Sequence, residues 1–186
     1  MKPALPLAVG AAILALVFMR RRAPRWTYGS KVPGIASSSA GGGELNRDPE
    51  SLLPSFADRV EILFQRLRAL GFDPIVNEAY RSPERGARLK DLGYSQAGDK
   101  SMHVHGAAVD ILSASGGWQG SEDLWQAMGP IAEELGLVWG GRWSFYDPAH
   151  VQAVAVNEQG KLRSSGEPDE LASSSMSSRV TEVVLV

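Results

Sequence analysis

The chain contains three histidines, His103, His105 and His150, and no cysteine. A bound transition metal would therefore have to be held by imidazole and carboxylate groups. The lack of cysteine also excludes a disulfide framework, a cysteine nucleophile and a thiolate-bound zinc or iron–sulfur site. All three histidines fall in two short motifs, SMHVHGAAVD over residues 101–110 and WGGRWSFYDPAHVQ over residues 139–152.

His103, Asp110 and His150 form a ligand set of the kind that a catalytic zinc uses, with three protein ligands and a fourth position open to water. Asp110 lies inside the apolar run AAVDIL, where a carboxylate is costly unless it is paired or binds a cation. Residues seven apart in a straight strand point to opposite faces, so His103 and Asp110 can meet only if the chain bends between them. Gly106 is the position where such a bend is easiest. These residues favour one Zn²⁺ per chain.

Asp147 stands three residues before His150, across Pro148. A turn at this proline would place the carboxylate and the imidazole on the same side of the chain. Zinc lowers the pKa of a bound water from about 15.7 to about 7, and a nearby carboxylate can accept its proton and pass it to a leaving amine. The spacing therefore predicts metal-assisted hydrolysis of an amide bond.

The elements that must position these residues alternate irregularly between helix and strand. Apolar residues at helical spacing predict a helix over residues 50–70, and Ser82 with Pro83 begins a second helix that ends near residue 92. A third helix is predicted over 121–135, and strands over 74–80, 104–112, 137–139 and 151–156. The order lacks a regular βαβ alternation, so the sequence predicts an α+β fold.

The 186-residue chain divides into four segments by composition. Residues 1–22 hold an uncharged apolar run followed by three arginines, which predicts an N-terminal transmembrane-type helix and membrane anchor. Residues 23–48 are rich in Gly and Ser and predict a flexible linker. The catalytic domain is expected over 49–157, and a polar tail with a β-prone terminus over 158–186.

Charge is distributed unevenly along the chain. Residues 1–43 carry six basic and no acidic residues, whereas the remainder carries 13 basic and 21 acidic residues. An acidic domain binds a phosphate backbone poorly, so nucleic acid is not an expected partner. The arginines that follow the apolar run favour a cytoplasmic location for that flank, and the orientation of the anchor stays open.

Three motifs in this order resemble one family. SMHVHGAAVD is similar to the Ser-x-His-x-x-Gly-x-Ala-x-Asp signature of the zinc D-Ala-D-Ala carboxypeptidases and L-Ala-D-Glu endopeptidases of peptidoglycan, whose fold is shared with the Hedgehog signalling domain. WGGRWSFYDPAHVQ resembles the second family signature, and EAYRSPER over residues 78–85 resembles the Tyr-Arg-Ser element that precedes the metal motif. The resemblance spans residues 50–155.

The resemblance implies a Hedgehog/DD-peptidase-like fold, with a small antiparallel sheet and helices packed on one face. It implies zinc ligands at His103, Asp110 and His150 and a catalytic base at Asp147. Arg81 would contact the substrate or stabilise the developing oxyanion, and Ser101 would hydrogen-bond near the metal or the substrate. His105 is not a ligand position in the family, so a role in the cleft or behind the ligands is expected for it.

The expected function is hydrolysis of a peptidoglycan stem peptide, with the L-Ala-D-Glu bond favoured because the WGGRW form is closer to the endopeptidase branch, which includes phage endolysins. A D,D-carboxypeptidase or D,D-endopeptidase is the alternative within the enzyme class. A non-catalytic, zinc-stabilised wall-binding module is the alternative outside it. The enzyme would be anchored to the membrane with its catalytic domain facing the cell wall. Phage and bacterial origins, the oligomeric state and the stacking of Trp139 and Trp143 on substrate or in the core stay open.

Overall fold

The computed structural model describes residues 45–165. Their longer helices and strands are, in chain order, α1 (Pro54–Ala69), β1 (Pro74–Glu78), α2 (Pro83–Asp91), β2 (Ala108–Ser113), α3 (Glu122–Glu134), β3 (Val138–Trp139), β4 (His150–Gln152) and α4 (Gln159–Ser165). The strands form one antiparallel sheet in the order β1-β2-β4-β3. The predicted α+β class with a small antiparallel sheet is confirmed.

The core lies between the sheet and the pair of helices α1 and α3, which contact each other and the strands. On α1, apolar side chains recur every three or four residues and are fully buried. These are Phe56, Val60, Leu63, Phe64 and Leu67. In β2, Val109 and Ile111 are fully buried while Asp110 lies between them, and alternation along a strand turns the carboxylate to the opposite face of the sheet.

Trp139 packs in this core and also supports the loop that carries Asp147. Its side chain is only 4% exposed, and a Cβ added to Gly129 of α3 would lie 2.3 Å from its ring. Its indole N–H donates to the carbonyl oxygen of Pro148 at 2.8 Å. Core packing is therefore the role of Trp139 in this structure, with the polar end of the ring fixing the turn between Asp147 and His150.

The chain bends sharply between His103 and Asp110. The sequence favours a strand from Val104, but residues Met102–His105 form a 3-10 helix and β2 begins only at Ala108. The Ser101 hydroxyl accepts from the backbone N–H of His103 at 3.4 Å and caps this turn. Gly106 ends the turn in the left-handed region, at φ +64°. The cap and the glycine thus override the β propensity of Val104.

Gly106→Ala is expected to destabilise the domain more than an ordinary left-handed glycine replacement. A Cβ at this position would lie 2.5 Å from the carbonyl oxygen of Ser51. The matched control is Gly93→Ala, because Gly93 has φ +80° and no atom within 4 Å of its added Cβ. The control should cost roughly 1–2 kcal/mol of unfolding free energy, and Gly106→Ala a further 1–3 kcal/mol or so from overpacking. Urea unfolding of both variants measures the difference in unfolding free energy. Equal losses would show that the short distance to the Ser51 carbonyl oxygen adds no destabilisation.

The packed residues extend beyond both predicted domain boundaries. Before residue 49, Asn46 accepts from the backbone N–H of Ala79 at 2.7 Å through its carbonyl oxygen. After residue 157, Leu162 of α4 is 2% exposed. Helix α4 has too few apolar residues for a helical pattern to be recognised in the sequence. The burial of Leu162 depends on how the chain folds around it.

No helix among residues 45–165 is both long and apolar enough to cross a membrane. The predicted anchor over 1–22 and most of the linker lie outside the described residues, as does the predicted β-prone terminus. These predictions therefore stay predictions.

Candidate metal centre and catalytic cleft

The structure brings His103, Asp110 and His150 together at one buried point. Nε2 of His103 lies 3.1 Å from Oδ1 of Asp110 and 3.3 Å from Nδ1 of His150. Nδ1 of His150 lies 3.2 Å from the same Asp110 oxygen. Ligand atoms held about 2.0–2.1 Å from a tetrahedral zinc ion are separated by about 3.3–3.4 Å. The three donor atoms thus have the spacing of one face of a zinc tetrahedron.

Each histidine is oriented by a hydrogen bond on its other ring nitrogen. His103 Nδ1 lies 2.7 Å from the carbonyl oxygen of Ala79, which can only accept. His150 Nε2 lies 3.1 Å from Oε1 of Gln152. In the neutral tautomers that satisfy these partners, the two remaining nitrogens present lone pairs toward Asp110. The lone pairs of the two imidazole nitrogens therefore point toward the Asp110 carboxylate oxygen. A cation bound between these three atoms would stabilise this arrangement.

The electrostatics of the three residues also favour a positive charge between them. Burial alone would raise the pKa of Asp110, but the neighbouring His103 and His150 hold it well below its usual value. Burial alone would lower the pKa of His150, but hydrogen bonding to Asp110 and the charge of that carboxylate raise it. Asp110 therefore stays ionised, and its charge favours a cation beside His150. The donor set fits a zinc ion.

The Gln152 side chain supports the His150 ring. The sequence motifs alone do not indicate this role. Its amide also donates to the carbonyl oxygen of Val154, and its Oε1 accepts from Gln159 Nε2 at 3.2 Å. This network fixes the amide oxygen toward His150, so Gln152 selects the tautomer that leaves Nδ1 available.

Gln152→Leu is expected to weaken zinc binding about 10- to 100-fold, because the His150 ring loses its orienting acceptor. Competition against a chromophoric chelator measures the zinc affinity of each variant. Gln126→Leu is the matched control, since Gln126 of α3 bonds to Glu122 and to Tyr146 and does not contact the ligands. Unchanged zinc affinity in Gln152→Leu would mean that the backbone alone orients His150.

Asp147 lines the same cleft as the three ligands. Burial and the charge of Asp110 raise its pKa, against smaller opposing effects from the histidines and Arg81. The backbone supports this position, because the Asp147 N–H donates to the carbonyl oxygen of Gly140 and the His150 N–H donates to that of Asp147, both at 3.2 Å. A carboxylate of raised pKa beside a metal centre is suited to accepting a proton.

Arg81 is 8% exposed and lies between two carboxylates. Its Nη2 is 2.7 Å from Oε2 of Glu78 and 3.4 Å from Oδ2 of Asp110. Although burial alone would lower it, the carboxylates of Asp110 and Glu78 raise the pKa of Arg81. Its Nε is buried and has no hydrogen-bond partner among the described residues. Arg81 also lines the cleft, so its guanidinium lies where it can donate to a substrate oxygen.

Ser101 and His105 differ in their relation to the cleft. Ser101 is buried, lines the cleft and caps the turn that carries His103. His105 is half-buried and lies outside the group of three ligands. Burial and the charge of Arg163 lower the pKa of His105. The sequence could not place this histidine, because a His-x-His pair shares a face only in a strand and the segment here is a 3-10 helix.

The cleft has a volume of about 820 Å³, which suits a ligand larger than a dipeptide. Aromatic side chains line much of it. These are Tyr94, Trp118, Trp125, Trp143, Phe145 and Tyr146. The Trp143 ring centroid lies 5.1 Å from that of His150, so Trp143 borders the metal centre whereas Trp139 packs in the core.

Residues 95–153 match the family model described as D-alanyl-D-alanine carboxypeptidase. The matched segment contains all three candidate zinc ligands and Asp147. No curated protein sequence matches the chain.

The chain also resembles several solved structures. The L-Ala D-Glu endopeptidase ChiX of Serratia marcescens is 24% identical, with a TM-score of 0.45 over 56% of this chain and 81% of ChiX. The vancomycin-resistance D,D-pentapeptidase VanY, from a VanB-type cassette and in complex with Zn(II), is 20% identical, with a TM-score of 0.44 over 65% and 83% of the two chains. The LD-carboxypeptidase LdcB is 19% identical, with a TM-score of 0.44 over 81% and 80%.

The family resemblance indicated by the three sequence motifs is confirmed by the family match, and the buried cluster of two histidines and an aspartate supplies one zinc site of the expected composition. Residues 95–153 are therefore similar to the D-alanyl-D-alanine carboxypeptidase family, and the described residues include a candidate site for one zinc ion.

Proposed function

We propose that this chain is an endopeptidase that cuts an internal amide bond of the peptidoglycan stem peptide, with the L-Ala-D-Glu bond as the favoured target. The observation that carries the proposal is the charge arrangement of the cleft. Apart from the two histidine ligands, Arg81 and Arg85 are the basic side chains among the described residues that line it. Both donate to the same carboxylate, that of Glu78, at 2.7 Å.

This arrangement disfavours a terminal carboxylate at the cleft. A carboxypeptidase must bind the free C-terminal carboxylate of its substrate, and an unshared guanidinium or ammonium group is the usual partner for such a group. Here both arginines share the carboxylate of Glu78, so neither presents an unshared guanidinium to the cleft. A neutral peptide bond with chain continuing on both sides is therefore the better fit, and the 820 Å³ volume of the cleft leaves space for that longer substrate.

The residues have separate roles in the proposed reaction. His103, Asp110 and His150 would hold the zinc ion, which when bound supplies Lewis-acid polarisation and lowers the pKa of water. Asp147 accepts a proton from the attacking water and then delivers it to the amide nitrogen as the C–N bond breaks. Arg81 donates to the carbonyl oxygen as negative charge develops there. The products are a carboxylic acid and a free amine.

We further infer that Ser101 acts mainly by holding the turn of His103, and that the domain has the fold shared by the DD-peptidases and the Hedgehog signalling domain. The order of the three motifs along the chain supports that fold. A non-catalytic module would need the ligand set but would not need Asp147 and Arg81 in the cleft.

The enzyme is proposed to be anchored to the membrane by residues 1–22, with its domain facing the cell wall, where the substrate lies. The apolar run before Arg20 supports an anchor. Fractionation of cells that express the full chain tests this proposal, and recovery of the protein only in the soluble fraction would contradict it.

A second candidate is a D,D-carboxypeptidase, which the description of the matched family favours. The experiment that separates the two is digestion of purified muropeptides with the full-length protein, with and without a chelator, followed by mass spectrometry. New N-termini at D-Glu support the endopeptidase, and release of free D-Ala supports the carboxypeptidase. Intact muropeptides in the presence of zinc would contradict both.

A further inference from the structure

Glu78 is a buried carboxylate that no step of the proposed reaction uses. It ends β1, is 3% exposed and lies opposite Asp110 of β2. Asp110 in turn lies opposite His150 of β4. Glu78, Asp110 and His150 therefore form a row across three neighbouring strands. This row places Glu78 beside a metal ligand.

A bulge in β1 turns Glu78 to this side of the sheet. Val76 pairs with Ile111, but the next pair is Glu78 with Asp110, so Asn77 is an extra residue in β1. In a regular strand Glu78 would share a face with Val76, which packs in the core. The extra residue moves the Glu78 side chain to the face of Asp110.

Two arginines occupy both oxygens of Glu78. Its Oε2 accepts from Arg81 Nη2 at 2.7 Å, and its Oε1 accepts from Arg85 Nε at 2.7 Å. The three side chains are between 4% and 9% exposed, so the pairs are little screened by water. Arg85 belongs to α2, and Glu78 thus connects that helix to Arg81.

This connection determines where the Arg81 guanidinium lies. Its Nη2 is closer to Glu78 than to Asp110, at 2.7 Å against 3.4 Å. Without Glu78, the nearest carboxylate is that of Asp110, so the guanidinium would move toward the zinc ligand. The guanidinium would then leave its present position at the cleft.

We propose that Glu78 is the positioning residue for Arg81, holding the guanidinium away from Asp110 so that it can donate to the substrate. This inference rests on the proposed function, because Arg81 is the group that contacts the reacting carbonyl there. Glu78 itself does not touch the substrate.

The test is a double-mutant cycle of Glu78→Gln and Arg81→Ala in the full-length, zinc-loaded protein. Glu78→Gln is expected to lower kcat about 10- to 100-fold with KM changed by less than about threefold, because the lost contact acts in the transition state. In the Arg81→Ala background the same change should cost less than about twofold. Glu134→Gln is the matched control, since Glu134 also bonds to an arginine, Arg66, at 2.6 Å but lies at the surface.

A second readout is independent of activity. A buried, paired guanidinium gives a resolved, slowly exchanging Nε–H signal in ¹⁵N NMR, assigned by its loss in Arg81→Ala. This signal is expected to shift or to exchange rapidly in Glu78→Gln and to stay unchanged in Glu134→Gln. Zinc content should remain one ion per chain in both variants.

Full activity of Glu78→Gln with an unchanged Arg81 signal would overturn the proposal. An equal loss in the presence and absence of Arg81 would also overturn it, because Glu78 would then act independently. If Glu78→Gln does not fold, Glu78→Asp keeps the charge and shortens the reach, and the same expectations and contrary results apply to it. A wild-type protein that cleaves no muropeptide would contradict the proposed function, whereas the NMR signal would still decide the role of Glu78.

Discussion

Asp147→Asn is expected to lower kcat on muropeptides by about 10²- to 10⁴-fold, the usual contribution of a general base, while one zinc ion per chain stays bound. Asparagine keeps the shape of the side chain but cannot accept the proton of the attacking water. Burial and the neighbouring Asp110 raise the pKa of Asp147, so its carboxylate is a stronger base than an exposed aspartate.

Turnover by mass spectrometry and zinc content by elemental analysis together check this expectation. Asp58→Asn is the matched control, because Asp58 is an exposed aspartate on α1 and its replacement should leave both quantities unchanged. An Asp147→Asn enzyme with full activity would mean that another group takes the proton. A variant that loses zinc together with activity would instead indicate that Asp147 is a ligand.

His150→Ala is expected to lose both zinc and activity. Two protein ligands then remain, and Asp110 loses one of the two imidazoles that hold its pKa low. The residual turnover should equal that of the chelator-treated wild-type protein, and added zinc should not restore it.

His105→Ala provides the matched control for this loss. His105 lies two residues from a ligand but outside the cluster of donor atoms, so its removal should leave zinc affinity and turnover unchanged. Zinc retained by His150→Ala but lost by His105→Ala would exchange the roles of the two histidines and contradict the assignment.

Much of the metal centre could be predicted because its chemistry is local in sequence. Asp110 was recognisable as a buried carboxylate within an apolar run, and Gly106 as the position of a necessary bend. The structure places that bend at φ +64°. The ligand cluster then follows from the pairing of β2 with β4, which sets Asp110 opposite His150.

The parts that could not be predicted depend on backbone conformation and packing that the residue pattern alone does not show. Val104 has the propensity of a strand residue, but the Ser101 cap and Gly106 hold it in a 3-10 helix. Glu78 faces the site only because β1 carries a bulge at Asn77, and a single sequence gives no signal for one extra residue in a strand. Gln152 acquires its role from the His150 ring, and α4 from the burial of Leu162.

Anomalous diffraction at the zinc edge, from crystals of the protein grown with zinc, shows whether His103, Asp110 and His150 bind the metal. We expect one strong peak per chain, about 2.0–2.2 Å from each of three atoms, namely His103 Nε2, Asp110 Oδ1 and His150 Nδ1. A peak ligated instead through His105, or no peak between these three atoms in zinc-saturated crystals, would contradict this expectation.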